Sequence, residues 1–164
     1  VVQPPLPRPQ ELFARMLLRY GVEFLVIGGR AVQAHGVVGR TTSDLDVLLV
    51  QHPMNAVRLG AFLTQHAPSP PGFATWAEAA MAPNKLFLYP STDAKQVDVL
   101  TSIAGVDAQV CFSRAVEAQF GSCRLPVASR DDLIRMKQVS MASGNVPAAH
   151  ERDQLDIEAL RQLA

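Results

Sequence analysis

Asp44 and Asp46 stand one residue apart, where a polar stretch gives way to the apolar run Leu45 to Val50. Residues i and i+2 of a strand point to the same face. The spacing therefore sets the two carboxylates side by side, with Leu45 and Val47 on the opposite face. Bare carboxylates held that close repel each other, and one tends to keep its proton. A divalent cation removes the conflict, and an oxygen-only donor set favours Mg²⁺ or Mn²⁺ over zinc. Upstream, a short apolar run ends in Gly28–Gly29. A helix that begins just after a glycine pair offers free N–H groups to an anion. Downstream, Asp98 lies between Val97 and Val99 in another apolar run. A charged residue there either faces solvent or has a partner.

These parts constrain the topology that must hold them. Gly28–Gly29 ends the first strand, whereas Asp44 and Asp46 begin the second. If both line one site, the two strands run antiparallel. If the strand around Asp98 is a neighbour, its carboxylate faces the same metal. The bland alternative has Asp44 capping a turn, Asp46 solvated and Asp98 on an exposed sheet face.

Around this centre the chain reads as an α+β mixture. Gln10 to Tyr20 has helical spacing at Leu12, Phe13, Met16 and Leu17. Val22 to Ile27 is a short buried strand, and Arg30 to His35 a short helix ended by Gly36. Val37 to Ser43 is a loop, followed by the strand Leu45 to Val50. Met54 to His66 reads as an amphipathic helix with Val57, Ala61 and Phe62 inward, then a proline-rich break over Ala67 to Pro71. Phe73 to Asn84 is either a short helix or a flap. Lys85 to Tyr89 and Gln96 to Leu100 read as strands joined by a turn at 90–95. Ala104 to Ala115 reads as helical. Val116 to Phe120 and Cys123 to Val127 form a hairpin about Gly121–Ser122. Ser129 ahead of Asp131 and Asp132 starts a helix in capping-box style. A last helix begins near His150, with Leu155, Ala159, Leu160 and Leu163 inward. One domain over 1–164 is expected, with an irregular lead-in at 1–9 and a C-terminal helical pair at 129–164.

Composition narrows the classes. The 164 residues are 48% hydrophobic, enough for a real core, with 15 basic and 15 acidic residues and a net charge of zero. That balance argues against coating nucleic acid by bulk charge, though not against a small nucleotide held by a metal. No apolar run reaches membrane-span length, and the proline-rich start lacks a signal-peptide pattern, so a cytoplasmic protein is expected. Cys111 and Cys123 read as two reduced thiols, with a disulfide as the alternative. His35, His52, His66 and His150 lack metal-ligand spacing.

Gly28–Gly29, then Asp44-Leu45-Asp46, then Asp98 in a later strand resembles the nucleotidyltransferase superfamily that includes DNA polymerase β. The longer string GGRAVQAHGVVGRTTSDLDVLL resembles small prokaryotic minimal-type nucleotidyltransferases, including abortive-infection toxin relatives. SRDDLIRMK and RDQLDIEAL are similar to the two closing helices of those proteins. The resemblance implies a nucleotidyltransferase-like mixed sheet flanked by helices. It implies Mg²⁺ (or Mn²⁺) held by Asp44, Asp46 and Asp98, with an NTP as substrate and these three as the catalytic residues. The acceptor would be an RNA, protein or small-molecule hydroxyl, and a cognate toxin or antitoxin protein a possible partner. In-line attack at phosphorus needs charge neutralised on the attacking and leaving oxygens, which a metal pair held by these carboxylates does. Gly28, Gly29, Arg30, Thr42 and Lys137 are the nucleotide-binding candidates. Many active members carry Gly-Ser at the turn, where the serine hydroxyl binds a phosphate. Here Gly29 takes that place, so a catalytically silent binding or regulatory module of the same fold is the alternative.

Other residues carry two readings each. Arg30 contacts phosphate or points to solvent. Arg40, Thr41 and Thr42 line the site or form an ordinary polar loop. Lys137 reaches a triphosphate or snorkels, and Asp153 is placed to brace it. Arg152 and Asp156 read as a helix-surface pair. Phe73 and Trp76 stack a base or fill the core. Haloacid-dehalogenase-type phosphatases and sugar-nucleotide glycosyltransferases set paired aspartates after the apolar run, whereas here they precede it. No P-loop is present.

Overall fold

The computed structural model describes residues 2–89, 96–144 and 146–163. Among them run α1 (Arg8–Arg19), β1 (Phe24–Ile27), α2 (Gly28–Ala34), β2 (Leu45–Leu49), α3 (Pro53–His66), α4 (Trp76–Met81), β3 (Leu86–Tyr89), β4 (Val97–Leu100), α5 (Ala108–Ser113), β5 (Val116–Phe120), β6 (Cys123–Val127), α6 (Arg130–Ala142) and α7 (Pro147–Gln162). The strands form one mixed sheet in the order β3-β4-β2-β1-β6-β5. This is an α+β arrangement. The expected turn at 90–95 lies outside the described residues.

Strand direction follows the expectation set by the motif. β1 and β2 are antiparallel, with Ile27 opposite Asp46. β2 and β4 are parallel, with Asp46 beside Asp98. One sheet face carries Phe24, Val26, Val47, Val97 and Val99 and packs under α1 and α3. There the Phe13 ring meets Tyr89 at 4.6 Å and Phe62 at 5.3 Å. The other face carries Asp46, Asp98, Leu48 and Leu100, and α2 and α6 close over part of it. The interior is mainly aliphatic with Phe13, Phe24, Phe62 and Phe120 among it, and each fully buried leucine or phenylalanine contributes about 1.5–3 kcal/mol.

Several helices differ from the sequence expectation for physical reasons. α1 begins at Arg8, not Gln10, because Pro7 caps it and Pro9 sits in the first turn, where a missing N–H costs nothing. The lead-in is not wholly irregular: Gln3 bridges to Phe120 and shields the β5 edge. Leu12 is exposed, and Gln10 takes the inward place instead. On α3, Val57 and Ala61 face solvent, and Asn55, Ala56, Leu59, Phe62 and Leu63 are buried. Asn55 is buried because its amide serves the sheet: it donates to Glu23 O and Val50 O and accepts from Glu23 N at 2.7 to 2.8 Å. The helix expected over Ala104 to Ala115 shortens to Ala108–Ser113, started by an Asp107 cap. Phe73–Asn84 resolves to the short α4, capped by Thr75. Trp76 and Phe73 both pack edge-on against Phe87. α7 starts at Pro147, and Leu155 is exposed while Asp156, Ile157 and Leu160 are buried. Cys111 and Cys123 are free, buried thiols. No described helix is long and apolar enough to cross a membrane.

Candidate active site

The sheet brings the three aspartates to one end of one face. Asp46 lies on β2 and Asp98 beside it on β4, while Asp44 sits one step before β2. Asp44 Oδ1 accepts from Ser43 Oγ at 3.4 Å, and Asp98 Oδ1 accepts from Gln96 Nε2 at 3.0 Å. Burial pushes the Asp46 carboxyl up to about 7, and the charges of Asp98 and Asp44 add to the shift. Asp98 is also raised, chiefly by burial and then by Asp44, and a hydrogen bond between the two carboxyls favours the proton on Asp46. As placed, no three described His, Cys, Asp or Glu side chains enclose a metal ion. The donor set nevertheless suits a hard cation: three carboxylates, no thiol or imidazole, and a mutual repulsion that helps push the Asp46 carboxyl up.

The glycine turn is built against this pair. Gly28 has φ +64°, and a Cβ there would lie 2.8 Å from Asp46 Cγ. Only glycine allows both the left-handed backbone and the close approach. α2 starts at Gly28 itself, earlier than expected. A Cβ on Gly29 would lie 2.7 Å from Thr42 Cβ and 2.9 Å from Thr42 Oγ1. The threonine side chain thus occupies the space that a serine at position 29 would enter.

Gln10 was missed in the sequence and is central here. It is fully buried, and its Nε2 donates to Ser43 O at 2.6 Å and to Gln96 O at 3.3 Å. One amide thereby ties together the backbone just before Asp44 and just before the Asp98 strand. Arg30 does not line the cleft. Its Nη2 faces Gln10 Oε1 and Ser43 O at 3.4 and 3.5 Å, so it stands behind the carboxylates. Burial lowers its affinity for a proton, and Asp44 and Asp46 work the other way.

Across the cleft, α6 and α7 supply a charge cluster. Lys137 Nζ pairs with Asp153 at 2.9 Å and Asp156 at 2.7 Å, and Arg40 Nε pairs with Asp156 at 2.8 Å. Asp156 is therefore not in a surface pair with Arg152, as its spacing suggested. It is 3% exposed and joins α7 to the loop before Asp44. Lys137 is braced by Asp153 and is 7% exposed. The resulting polar cleft holds about 700 Å³. Gly28, Gly29, Thr42, Lys137 and the three aspartates line it, as do Arg40, Thr41, Ser43, Arg152 and Asp153.

The raised Asp46 carboxyl has a consequence for stability. Its folded-state value, about 7, lies above the ordinary value of 3.8, so the folded chain binds more protons than the unfolded one between them. The contribution is fully present below about pH 4 and is lost as pH rises through about 7, with a ceiling of roughly 4 kcal/mol. Urea unfolding of the metal-free protein should therefore show stability falling over that window from this group. Asp46→Asn should flatten the fall, and a slope unchanged by Asp46→Asn would refute the carboxyl assignment.

No protein-family model matches the chain, and no curated protein matches it in sequence. Solved structures do. The fold is similar to an antigenic nucleotidyltransferase-like protein from Paracoccidioides brasiliensis, with TM-score 0.55 and 17% identity over 98% of this chain and 79% of that one. It is similar to the lincosamide antibiotic adenylyltransferase LnuA in its lincomycin-bound form, with TM-score 0.55 and 12% identity over 98% and 99%. It is also similar to the antibiotic-resistance factor ANT(2'')-Ia, with TM-score 0.51 and 15% identity over 93% and 89%. The chain has a nucleotidyltransferase fold.

Proposed function

We propose that the protein transfers a nucleoside monophosphate from an NTP to an acceptor hydroxyl. The observation that carries this reading is the register of β2 and β4, which pairs Asp46 with Asp98 beside the Gly28 turn. Asp44, Asp46 and Asp98 would hold Mg²⁺, which when bound neutralises charge on the triphosphate and on the attacking oxygen. The acceptor oxygen attacks the α-phosphorus, the bond to the β-phosphate oxygen breaks, and pyrophosphate leaves. Asp98 takes the hydroxyl proton. Lys137, fixed by Asp153 and Asp156, opposes the negative charge of the phosphates, as does Arg40. Arg30 acts from behind the carboxylates. ATP is the first donor to test, since LnuA is an adenylyltransferase. A place in a toxin–antitoxin or phage-defence system rests on the sequence resemblance to minimal-type nucleotidyltransferases. The test is incubation with Mg²⁺ and α-labelled nucleoside triphosphates, offering RNA, protein and small-molecule acceptors. Transfer should be lost in Asp46→Asn, which removes one of the carboxylates that would hold the metal. Tight nucleotide binding with no transfer to any acceptor would favour the silent module.

That second reading draws on Gly29 in place of serine, and Thr42 answers it. Its hydroxyl lies 2.9 Å from where a residue-29 Cβ would stand, so it can offer a phosphate what a turn serine would. Thr42→Ala should weaken Mg-ATP binding about tenfold, the worth of one hydrogen bond to a charged group. Gly29→Ser alone should also weaken binding, because its Cβ overlaps Thr42. Adding Thr42→Ala should not relieve the clash, since the nearest threonine atom is Cβ; adding Thr42→Gly should restore both fit and affinity. Calorimetric titration of the four variants decides it. An unchanged affinity in Thr42→Ala would end Thr42's role.

A further inference from the structure

Beside the polar cleft lies a second, apolar recess of about 470 Å³. The two share Gly28, Asp46, Lys137 and Asp153, so whatever fills the recess has one end at the carboxylates. Its walls are Ile27 and Leu100 of the sheet, Leu86 of the edge strand, Ile103, and Leu133 and Met136 of α6. Leu86 is 54% exposed, a large apolar side chain left open to solvent at the mouth of the recess. A volume of this size is in the range that buries a drug-sized molecule.

We propose that this recess receives the body of the acceptor, and that the acceptor is a small, largely apolar molecule bearing the reactive hydroxyl. The inference rests on the nucleotidyl-transfer reading for its chemistry. A polynucleotide acceptor would need a track of free cations for its phosphates. Among the described residues, Lys85 is the exposed cation lining the recess, Lys137 is already engaged by Asp153 and Asp156, and the chain carries no net charge. A Ser or Thr side chain of a protein substrate is too short to fill the space. The donor base is the other candidate occupant. Bases are held by stacking on aromatic or arginine side chains, and among the described residues none lines the recess. The larger polar cleft beside it, about 700 Å³, accommodates the triphosphate.

Methyl NMR of the full chain, labelled at Met, Ile and Leu, tests the assignment with 1-naphthalenemethanol and phenyl β-glucoside as probes. The Met136, Ile103 and Leu86 methyls should shift saturably with at least one probe. Ala104→Trp, on the exposed turn at the recess, should weaken that binding at least tenfold and leave Mg-ATP binding within twofold. Leu86→Asp, at an exposed position that tolerates charge, should do the same by a different route. In the labelled-nucleotide assay, transfer to hydroxylic aromatic acceptors should be lost in both variants. The proposal is overturned if neither probe moves those methyls, or if adenosine or Mg-ATP moves them and displaces the probe. It is also overturned if an oligoribonucleotide is labelled equally well by wild type and Ala104→Trp. Should Mg-ATP fail to bind while a probe fills the recess, nucleotidyl transfer falls and the acceptor role falls with it. Should Mg-ATP bind and turn over while both probes leave the recess unmoved, only the acceptor assignment falls.

Discussion

Gly28→Ala should abolish nucleotidyl transfer while leaving a folded protein. Two costs combine at this position. The backbone stands at φ +64°, where an alanine Cβ costs about 1–2 kcal/mol. The new methyl would also lie 2.8 Å from Asp46 Cγ, so the carboxylate has to turn away. Turning a side chain is cheap for stability and ruinous for a site that needs it beside Asp98. Gly72→Ala separates the two effects. Gly72 has φ +82° with open space around its would-be Cβ, so it should lose a similar amount of stability and keep full activity. Urea unfolding and labelled-nucleotide transfer, measured on both variants, give the comparison. Wild-type transfer by Gly28→Ala would mean that Asp46 is not held for catalysis by the glycine turn.

The same contact explains why the centre of the fold was readable in the sequence. A glycine pair ending one apolar run, and two aspartates opening the next, leave one strand direction that puts both at the same end. The antiparallel β1–β2 pairing follows. A charged residue in an apolar strand marked Asp98 as a candidate, but only the register, which sets it beside Asp46, decides against a plain solvent-facing acid. The hairpin of β5 and β6 and the Ser129 cap were legible because turn and cap chemistry are local.

What was not legible depends on partners distant in sequence. Gln10 occupies an inward position of α1, beside Phe13, Ala14 and Leu17. A polar residue in an apolar stripe was the available signal, and Asn55 on α3 gives the same one. In both cases apolar counting turned the helix towards the wrong neighbours: Leu12 in α1, Val57 and Ala61 in α3. Asp156 shows the limit of i, i+4 reasoning. Its spacing from Arg152 fits a surface pair, but its actual partners are Lys137 and Arg40, the latter 116 residues away. The inward stripe of α7 therefore starts at a charged residue, and Leu155 is left in solvent.

Lys137→Met should destabilise the protein by about 3 kcal/mol, because it leaves two carboxylates close together with their main cation gone. Asp156 is 3% exposed and keeps only Arg40, while Asp153 keeps no cation from the cluster. The loss should come chiefly from the orphaned acids and not from a missing methylene contact, since methionine nearly matches the lysine stem in volume. Adding Asp153→Asn and Asp156→Asn should therefore recover much of the stability. Activity should not follow. The triple variant lacks the cation facing the phosphates, and Arg40 loses the carboxylate that holds its loop before Asp44, so Mg-ATP affinity should stay low. Urea unfolding at pH 7 and Mg-ATP titration on the single and triple variants read the two quantities separately. If stability and affinity recover together, Lys137 serves only to neutralise buried acids. If stability alone recovers, the lysine is kept inside at the expense of two carboxylates because the cleft requires a fixed positive charge there.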